Sequence, residues 1–259
     1  MKVGFIGAGN MGSALMASMK DHVELCVYDV LQTACEHANQ KYGAVIANDV
    51  YELVKNSQVI FVAIKPQFLD EIYVELKEAW SEEKILASIV AGKSLSHWQE
   101  VLGENAQIAR IMPNTPAMVG AGMTAAVPNA YLNQDEIDYV TTILESFGRV
   151  EFVPERLMDV VVSTSGSSPA YVYMMIEAMA DAAVSGGMPR PQAYQFAAQA
   201  VLGSAKMVLE TGMHPGALKD MVCSPGGTTI EAVRTLEALG FRSSIIEAMK
   251  VCEEKSKTM

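Results

Sequence analysis

The sequence predicts an α/β chain: a doubly wound parallel sheet first, then an all-helical domain. Over the first 150 residues the apolar runs are continuous rather than alternating, the pattern of strands covered on both faces. They alternate with helical periods, and strand–helix–strand units with right-handed crossovers build a parallel sheet. Beyond about Val153 the chain becomes rich in Ala and Met, keeps a helical period and offers no clear strand. The expected boundaries are 1–153 for the sheet domain and 154–259 for the helical one.

The elements follow in order. "KVGFIG" (2–7) reads as a buried strand and 10–20 as a helix. "VELCVYD" (23–29), "QVIFVAI" (58–64), "KILASIV" (84–90) and "AQIARIM" (106–112) read as further strands, separated by helical segments such as Pro66 to Trp80. In the second half, Ser167 to Gly187 reads as one long helix, with Pro169 in its first turn and Gly186-Gly187 ending it. A second helix covers "PRPQAYQFAAQAVLGSAKMVLETG", and shorter ones cover 215–222, 228–239 and 243–256. The helix from 168 to 186 is apolar almost all round, which signals burial on every side. About 100 residues of helix bury such an element better with a second copy of the chain, so a homodimer through this domain is expected.

Composition excludes several function classes. A net charge of −11 with no run of Lys or Arg argues against nucleic acid or an anionic membrane as partner. The chain opens directly on a strand pattern, and its most apolar stretch, Ala170 to Val184, contains Glu177 and Asp181. Neither a signal peptide nor a membrane span is therefore expected, and the chain reads as soluble and cytoplasmic. Four scattered cysteines and four scattered histidines lack metal-ligand spacing, so no metal is expected.

Gly7, Gly9 and Gly12 form G-x-G-x-x-G directly after a strand and at the opening of a helix. The first glycine permits the tight turn, the second lets backbone approach a pyrophosphate, and the third allows close helix–strand packing. The helix start presents free N–H groups and a positive dipole end to phosphate. This makes the first domain Rossmann-type, with Ile6, Gly7, Ala8, Gly9, Asn10, Met11 and Gly12 at the cofactor. Asp29 ends the second strand, 22 residues after Gly7, where an acidic residue holds the adenosine ribose. That favours NADH, with NADPH left open. Lys65 in "AIKPQ", and Asn114 and Thr115 in "MPNTPA", stand at the C-terminal ends of later strands, where ligands of open α/β sheets bind.

A second loop, "SPGGTTIE" (224–231), has the same physical character. Pro225 and Gly226 suit the centre of a turn. Thr228-x-x-Glu231 reads as a capping box. The same helix start can also hold a compact carboxylate: Thr228 closes the helix, while unpaired N–H groups, the positive dipole end and the Ser224 and Thr229 hydroxyls face the ligand.

Taken together, "FIGAGNMGSAL", "AIKPQ", "RIMPNTPA", "SGSSPAYVY", "GMPR", "HPGALKDMVCSPGGTTIEAVRTLE" and "GFR" resemble Δ1-pyrroline-5-carboxylate reductases, in order and over nearly the whole chain. Ser168 stands where that family usually has glycine, and no threonine matching the family's precedes "SGSS" in "DVVVSTSG". The resemblance implies an NAD(P)H-dependent reduction of a cyclic C=N bond to give L-proline, by a homodimer that assembles further, as a pentamer of dimers. It also implies a helical dimerisation domain. By position it places Asn48, Ala63, Ile64, Lys65, Pro66, Val90 and Ala91 at the cofactor. It places Ser224, Thr228 and Thr229 at the substrate carboxylate; with Gly227 of the same loop and, from their strand-end positions, Asn114 beside the substrate and Lys65 near the nicotinamide, Lys65 and Thr229 are the expected residues of the reacting centre. β-Hydroxyacid dehydrogenases share the glycine motif, but they carry a lysine early in the interdomain helix, and Ser167 to Gly187 contains none.

Overall fold

The computed structural model describes residues 2–258. The chain runs β1 (Lys2–Ile6), α1 (Asn10–Met19), β2 (Glu24–Tyr28), α2 (Gln32–Tyr42), β3 (Val45–Ile46), α3 (Val50–Asn56) and β4 (Val59–Val62). A 3-10 turn (Pro66–Glu71) then leads to α4 (Tyr73–Ala79), β5 (Ile85–Ser88), α5 (Leu95–Leu102) and β6 (Gln107–Met112). After a second 3-10 turn (Thr115–Val119) come β7 (Gly122–Pro128), α6 (Gln134–Glu145), β8 (Gly148–Phe152) and α7 (Met158–Val161). A single π turn (Val162–Gly166) precedes α8 (Ser168–Ser185), α9 (Arg190–Thr211), α10 (Pro215–Val222), α11 (Thr228–Ala238) and α12 (Phe241–Lys257).

Eight strands form one sheet in the order β3-β2-β1-β4-β5-β6-β7-β8. Alternate residues of each central strand face opposite sides, and both sides are buried. Phe5, Val27, Phe61 and Ala87 pack with α1, α2 and α6, where Phe5 and Phe61 stack at 4.8 Å between ring centroids. Ile6, Ile60, Val62 and Leu86 pack on the other side with α3, α4 and Trp98 of α5. This two-sided burial explains the continuous apolar runs.

One feature departs from the sequence expectation. The sheet is not wholly parallel, because β7 runs antiparallel to β6. Only residues 113–121 separate the two strands. A parallel crossover needs a dozen or more residues, so the chain turns back instead. β8 then pairs parallel to β7 through α6. The chain divides into compact units 2–167 with 252–258, and 168–251. The segment after 153 stays with the sheet unit. Met158 is buried there, Asn114 Nδ2 donates to the Ser165 carbonyl (3.0 Å), and Ser256 Oγ donates to Asp159 Oδ1 (2.7 Å).

The second unit has α8 packed against α9. Among residues 168–251 only three are buried, Ala180, Ala193 and Ala197. Large apolar side chains face outward instead, with Tyr173 58% and Met174 70% exposed. Among the described residues no helix is long and apolar enough to cross a membrane.

The β7–β8 pair closes through two glycines. Gly148 has φ +148°, and a Cβ there would lie 2.0 Å from the Gly122 carbonyl oxygen. Gly148→Ala should therefore lower stability by about 3 kcal/mol. Chemical denaturation measures this, and a loss under about 0.5 kcal/mol would show that the strand start accommodates a side chain.

Candidate active site

In a parallel sheet each strand delivers its following loop to the same edge, where the next helix begins. β1 delivers the glycine loop. Gly7 has φ +106°, and a Cβ there would meet the Ala63 carbonyl oxygen at 2.6 Å; at Gly12 it would meet the Gly7 oxygen at 2.3 Å. These two glycines serve close packing. Gly9 differs: a Cβ there meets nothing within 4 Å. It is the N-cap of α1, with extended backbone and no side-chain hydrogen bond to the helix start. The first-turn N–H groups of α1 thus face open space beside a residue without a side chain, the geometry that suits a pyrophosphate. The residues present fit a dinucleotide.

Asp29 comes from the end of β2 and reaches this loop. Its Oδ2 accepts from the Ala8 N–H (2.8 Å) and its Oδ1 from the Leu31 N–H (2.9 Å). Cys35 lies beneath it, its Sγ accepting from the Asp29 N–H at 3.1 Å. Burial pushes that thiol's pKa up, against the opposing pull of the Asp29 backbone hydrogen bond. Asn48 stands after β3, and its backbone and side-chain N–H groups both donate to Glu52 Oε2 (2.8 Å each).

Beyond the glycine loop a cleft of about 360 Å³ opens toward β4, β5 and β6. Gly9, Asn10 and Met11 line one side, and Ala63, Ile64 and Lys65 another. Ile89, Met112 and Pro113 complete it; sequence reasoning had named their neighbours but not them. Lys65 is exposed, and its ammonium has no hydrogen-bond or ion-pair partner among the described residues. Pro66 begins the 3-10 turn that follows and Ala91 is half-buried after β5; neither lines the cleft.

Two expected contacts take another form. Val90 is 2% exposed and packs in the core with Trp98, so its side chain is turned away from the cleft. Asn114 is buried with its amide engaged at both ends, Nδ2 to the Ser165 carbonyl and Oδ1 to the Met123 N–H (2.9 Å). Asn114 therefore ties together the loop after β6, the π turn and β7, instead of presenting a free amide to substrate.

The second unit carries the other loop. Ser224 to Gly227 close a turn, with the Gly227 N–H donating to the Ser224 carbonyl (3.0 Å) and Gly226 at φ +66°. The positive φ after Pro225 makes it type II. The expected capping box is absent. The N-cap of α11 is Gly227, one residue earlier than the T-x-x-E pattern requires, and it makes no side-chain cap. Glu231 consequently falls one position too far in, and its carboxylate pairs with Arg234 (3.0 Å). The side chains of Ser224, Thr228 and Thr229 have no hydrogen-bond partner among the described residues. A glycine N-cap again leaves a helix start open, as at α1, with three free hydroxyls around it.

Comparison with known proteins gives the chain's family. Residues 155–259 match the family model for pyrroline-5-carboxylate reductase dimerisation, and residues 2–92 match that for coenzyme F420-dependent NADP oxidoreductases. The pyrroline-5-carboxylate reductase of Escherichia coli is 49% identical, over 100% of this chain and 98% of its own. The chain belongs to the pyrroline-5-carboxylate reductase family. The reductase of Methanosarcina acetivorans is 41% identical over 100% of this chain and 97% of its own. Among solved structures, a Plasmodium falciparum pyrroline carboxylate reductase with NADP bound superposes with a TM-score of 0.89 at 31% identity, covering 100% of this chain and 97% of that one. The family's dimerisation model begins at 155, close to the change of character at Val153.

The glycine loop separates packing from binding. Gly9→Ala should leave thermal stability unchanged, because its Cβ meets nothing, while weakening dinucleotide binding about tenfold or more. Gly12→Ala should lose both. Thermal melts and fluorescence titration with NADPH and NADH check this; a Gly9→Ala protein that binds normally would remove the loop from the cofactor site.

Proposed function

We propose that this chain reduces the C=N bond of 1-pyrroline-5-carboxylate to give L-proline, the last step of proline biosynthesis, with NAD(P)H held by the first unit and the substrate carboxylate by the second. The observation that carries it is the pair of open, glycine-capped helix starts, α1 and α11, one in each unit of a chain that belongs to this reductase family.

Bound NAD(P)H supplies the hydride. The chain's residues position and stabilise. The N–H groups at the start of α1 hold the pyrophosphate, and Ile64, Met112 and Pro113 give the cleft an apolar wall against which a nicotinamide ring can lie. At α11 the first-turn N–H groups, the Ser224 hydroxyl and the Thr229 hydroxyl hold the substrate carboxylate, with Gly227 and Thr228 shaping the nest. Lys65 contributes an unpaired positive charge at the cleft, which draws an anionic substrate. A protonated cyclic imine accepts hydride readily, so orientation of its carbon supplies most of what catalysis needs, and no covalent nucleophile is required. One hydride and one proton are consumed per proline formed.

The exposed apolar helices of the second unit require a partner, and a homodimer through α8 and α9 covers them. Further assembly into a pentamer of dimers is the extension that the family resemblance implies. Free thiols at Cys26, Cys35, Cys223 and Cys252 suit the reducing cytoplasm.

Purified protein should oxidise NADH or NADPH only when pyrroline-5-carboxylate is added, with proline appearing in equal amount. Turnover of β-hydroxyacids instead, or no turnover, would overturn the assignment. Thr229→Val should raise KM for the imino acid about tenfold, the loss of one hydrogen bond to a charged group, with cofactor affinity unchanged. Equal loss of both would mean that the loop is structural.

A further inference from the structure

We propose that the first unit carries a second ligand site, a polar cavity around Lys84 at the sheet edge opposite the glycine loop, and that this cavity binds inorganic phosphate. The reductase assignment does not depend on it.

β1, β4 and β5 run parallel, so β4 and β5 begin at the edge away from the loop that leaves β1. There the end of α3 and the residues before β4 and β5 surround an open cavity of about 390 Å³. Its lining is Lys55, Asn56, Ser57, Gln58, Glu83 and Lys84.

Lys84 is the unusual member. It is only 8% exposed. A charge buried that far is ordinarily paired, yet Lys84 has no ion pair among the described residues. Its ammonium donates once, to the Ser57 carbonyl at 2.8 Å. Two of its three N–H donors therefore lack a partner among the described residues. Burial draws its pKa below the ordinary lysine value, with Glu83 opposing the fall and Lys55 adding to it. Holding one carbonyl needs no charge, since a neutral donor would serve at lower cost. An anion in the cavity gives the charge and its two spare donors a use.

The other lining groups define the anion. Gln58 Oε1 accepts from the Lys2 N–H (2.7 Å), which leaves the Gln58 amide N–H groups as donors without a partner. Asn56 has an unpartnered amide as well. Lys55, whose Nζ stands 5.5 Å from the Tyr51 ring centroid, adds a second positive charge. Glu83 is the one carboxylate, and it takes only a Ser81 hydroxyl at 3.4 Å. Donors in excess of acceptors, with a single carboxylate among them, suit a compact anion that keeps one O–H. Phosphate keeps one near neutral pH and can donate it to Glu83; sulfate has none.

The test is calorimetric titration of the intact enzyme with inorganic phosphate at pH 7 and constant ionic strength, beside the same titration with sulfate. Phosphate should bind once per chain with a Kd of about 1 mM or below, and sulfate about tenfold or more weakly, for want of the hydrogen bond to a charged group. Lys84→Met, similar in length but uncharged, should abolish phosphate binding while imino-acid reduction persists. Glu83→Gln should let sulfate bind as well as phosphate, because an amide donates where the carboxylate could not. Lys55→Ala should weaken phosphate about threefold. No phosphate binding up to about 10 mM would overturn the proposal. So would binding that survives Lys84→Met, which would move the ion to one of the open helix starts, and so would equal affinity of the unaltered enzyme for sulfate. Should Lys84→Met fail to fold, the two exposed positions decide: Glu83→Gln and Lys55→Ala proteins that both bind as the unaltered enzyme does would equally overturn it.

Discussion

A parallel strand order forces each strand's C-terminal end, and the start of the helix that follows, onto a common edge of the sheet. In the first unit that edge collects the glycine loop, Asp29, Asn48, Lys65 and the turn after β5. Two-sided burial holds the strands rigid, so loops that belong to different crossovers keep fixed distances from one another. The Ala8–Asp29 hydrogen bond is one outcome: it joins the loop after β1 to the loop after β2. A ligand that spans several crossovers needs this common edge, and the helix starts on it supply partial positive charge without a single lysine or arginine in the glycine loop.

Glycine N-caps recur in both units for a related reason. Three helices away from these loops close their own starts: Asp49 caps α3, Ser94 caps α5, and Asn133 with Glu136 forms a full capping box at α6, whereas α2, α4 and α9 begin without a side-chain cap. Gly9 and Gly227 leave α1 and α11 uncapped. Stability forgone at those two termini, about 0.3 kcal/mol each by comparison with a Ser or Asp cap, leaves donors free for something outside the chain.

Most of the fold was legible because buried strands and long helices write strong patterns. The strands at β1, β2, β4, β5 and β6 and the helices from α8 to α12 fall where the apolar periods put them. β3, β7 and β8 did not. β3 is two residues long, β7 ("GMTAAVP") is mostly small residues, and β8 ("GRVEF") leaves much of its surface to solvent, so none offers a continuous apolar run. At the site, the glycine loop was legible because its spacing has a steric cause. The start of α11 at 228 was read correctly, but the capping box was not, since T-x-x-E describes a cap only if the threonine lies outside the helix. Asn114 and Val90 sit in segments that were correctly located, but the direction of a side chain depends on tertiary partners such as Ser165, Met123 and Trp98, which no local pattern names.

Helix α8 carries a consequence for how the protein persists in a cell. Only Ala180 of its 18 residues is buried within one chain. Its native environment therefore has to come from a second copy, and folding of this unit is a second-order event. Dilution acts as a denaturant: the melting temperature should fall as the enzyme becomes scarce, and a newly made chain has to find its twin before its second half is safe from proteases. The concentration of the enzyme then becomes part of its own thermodynamic stability.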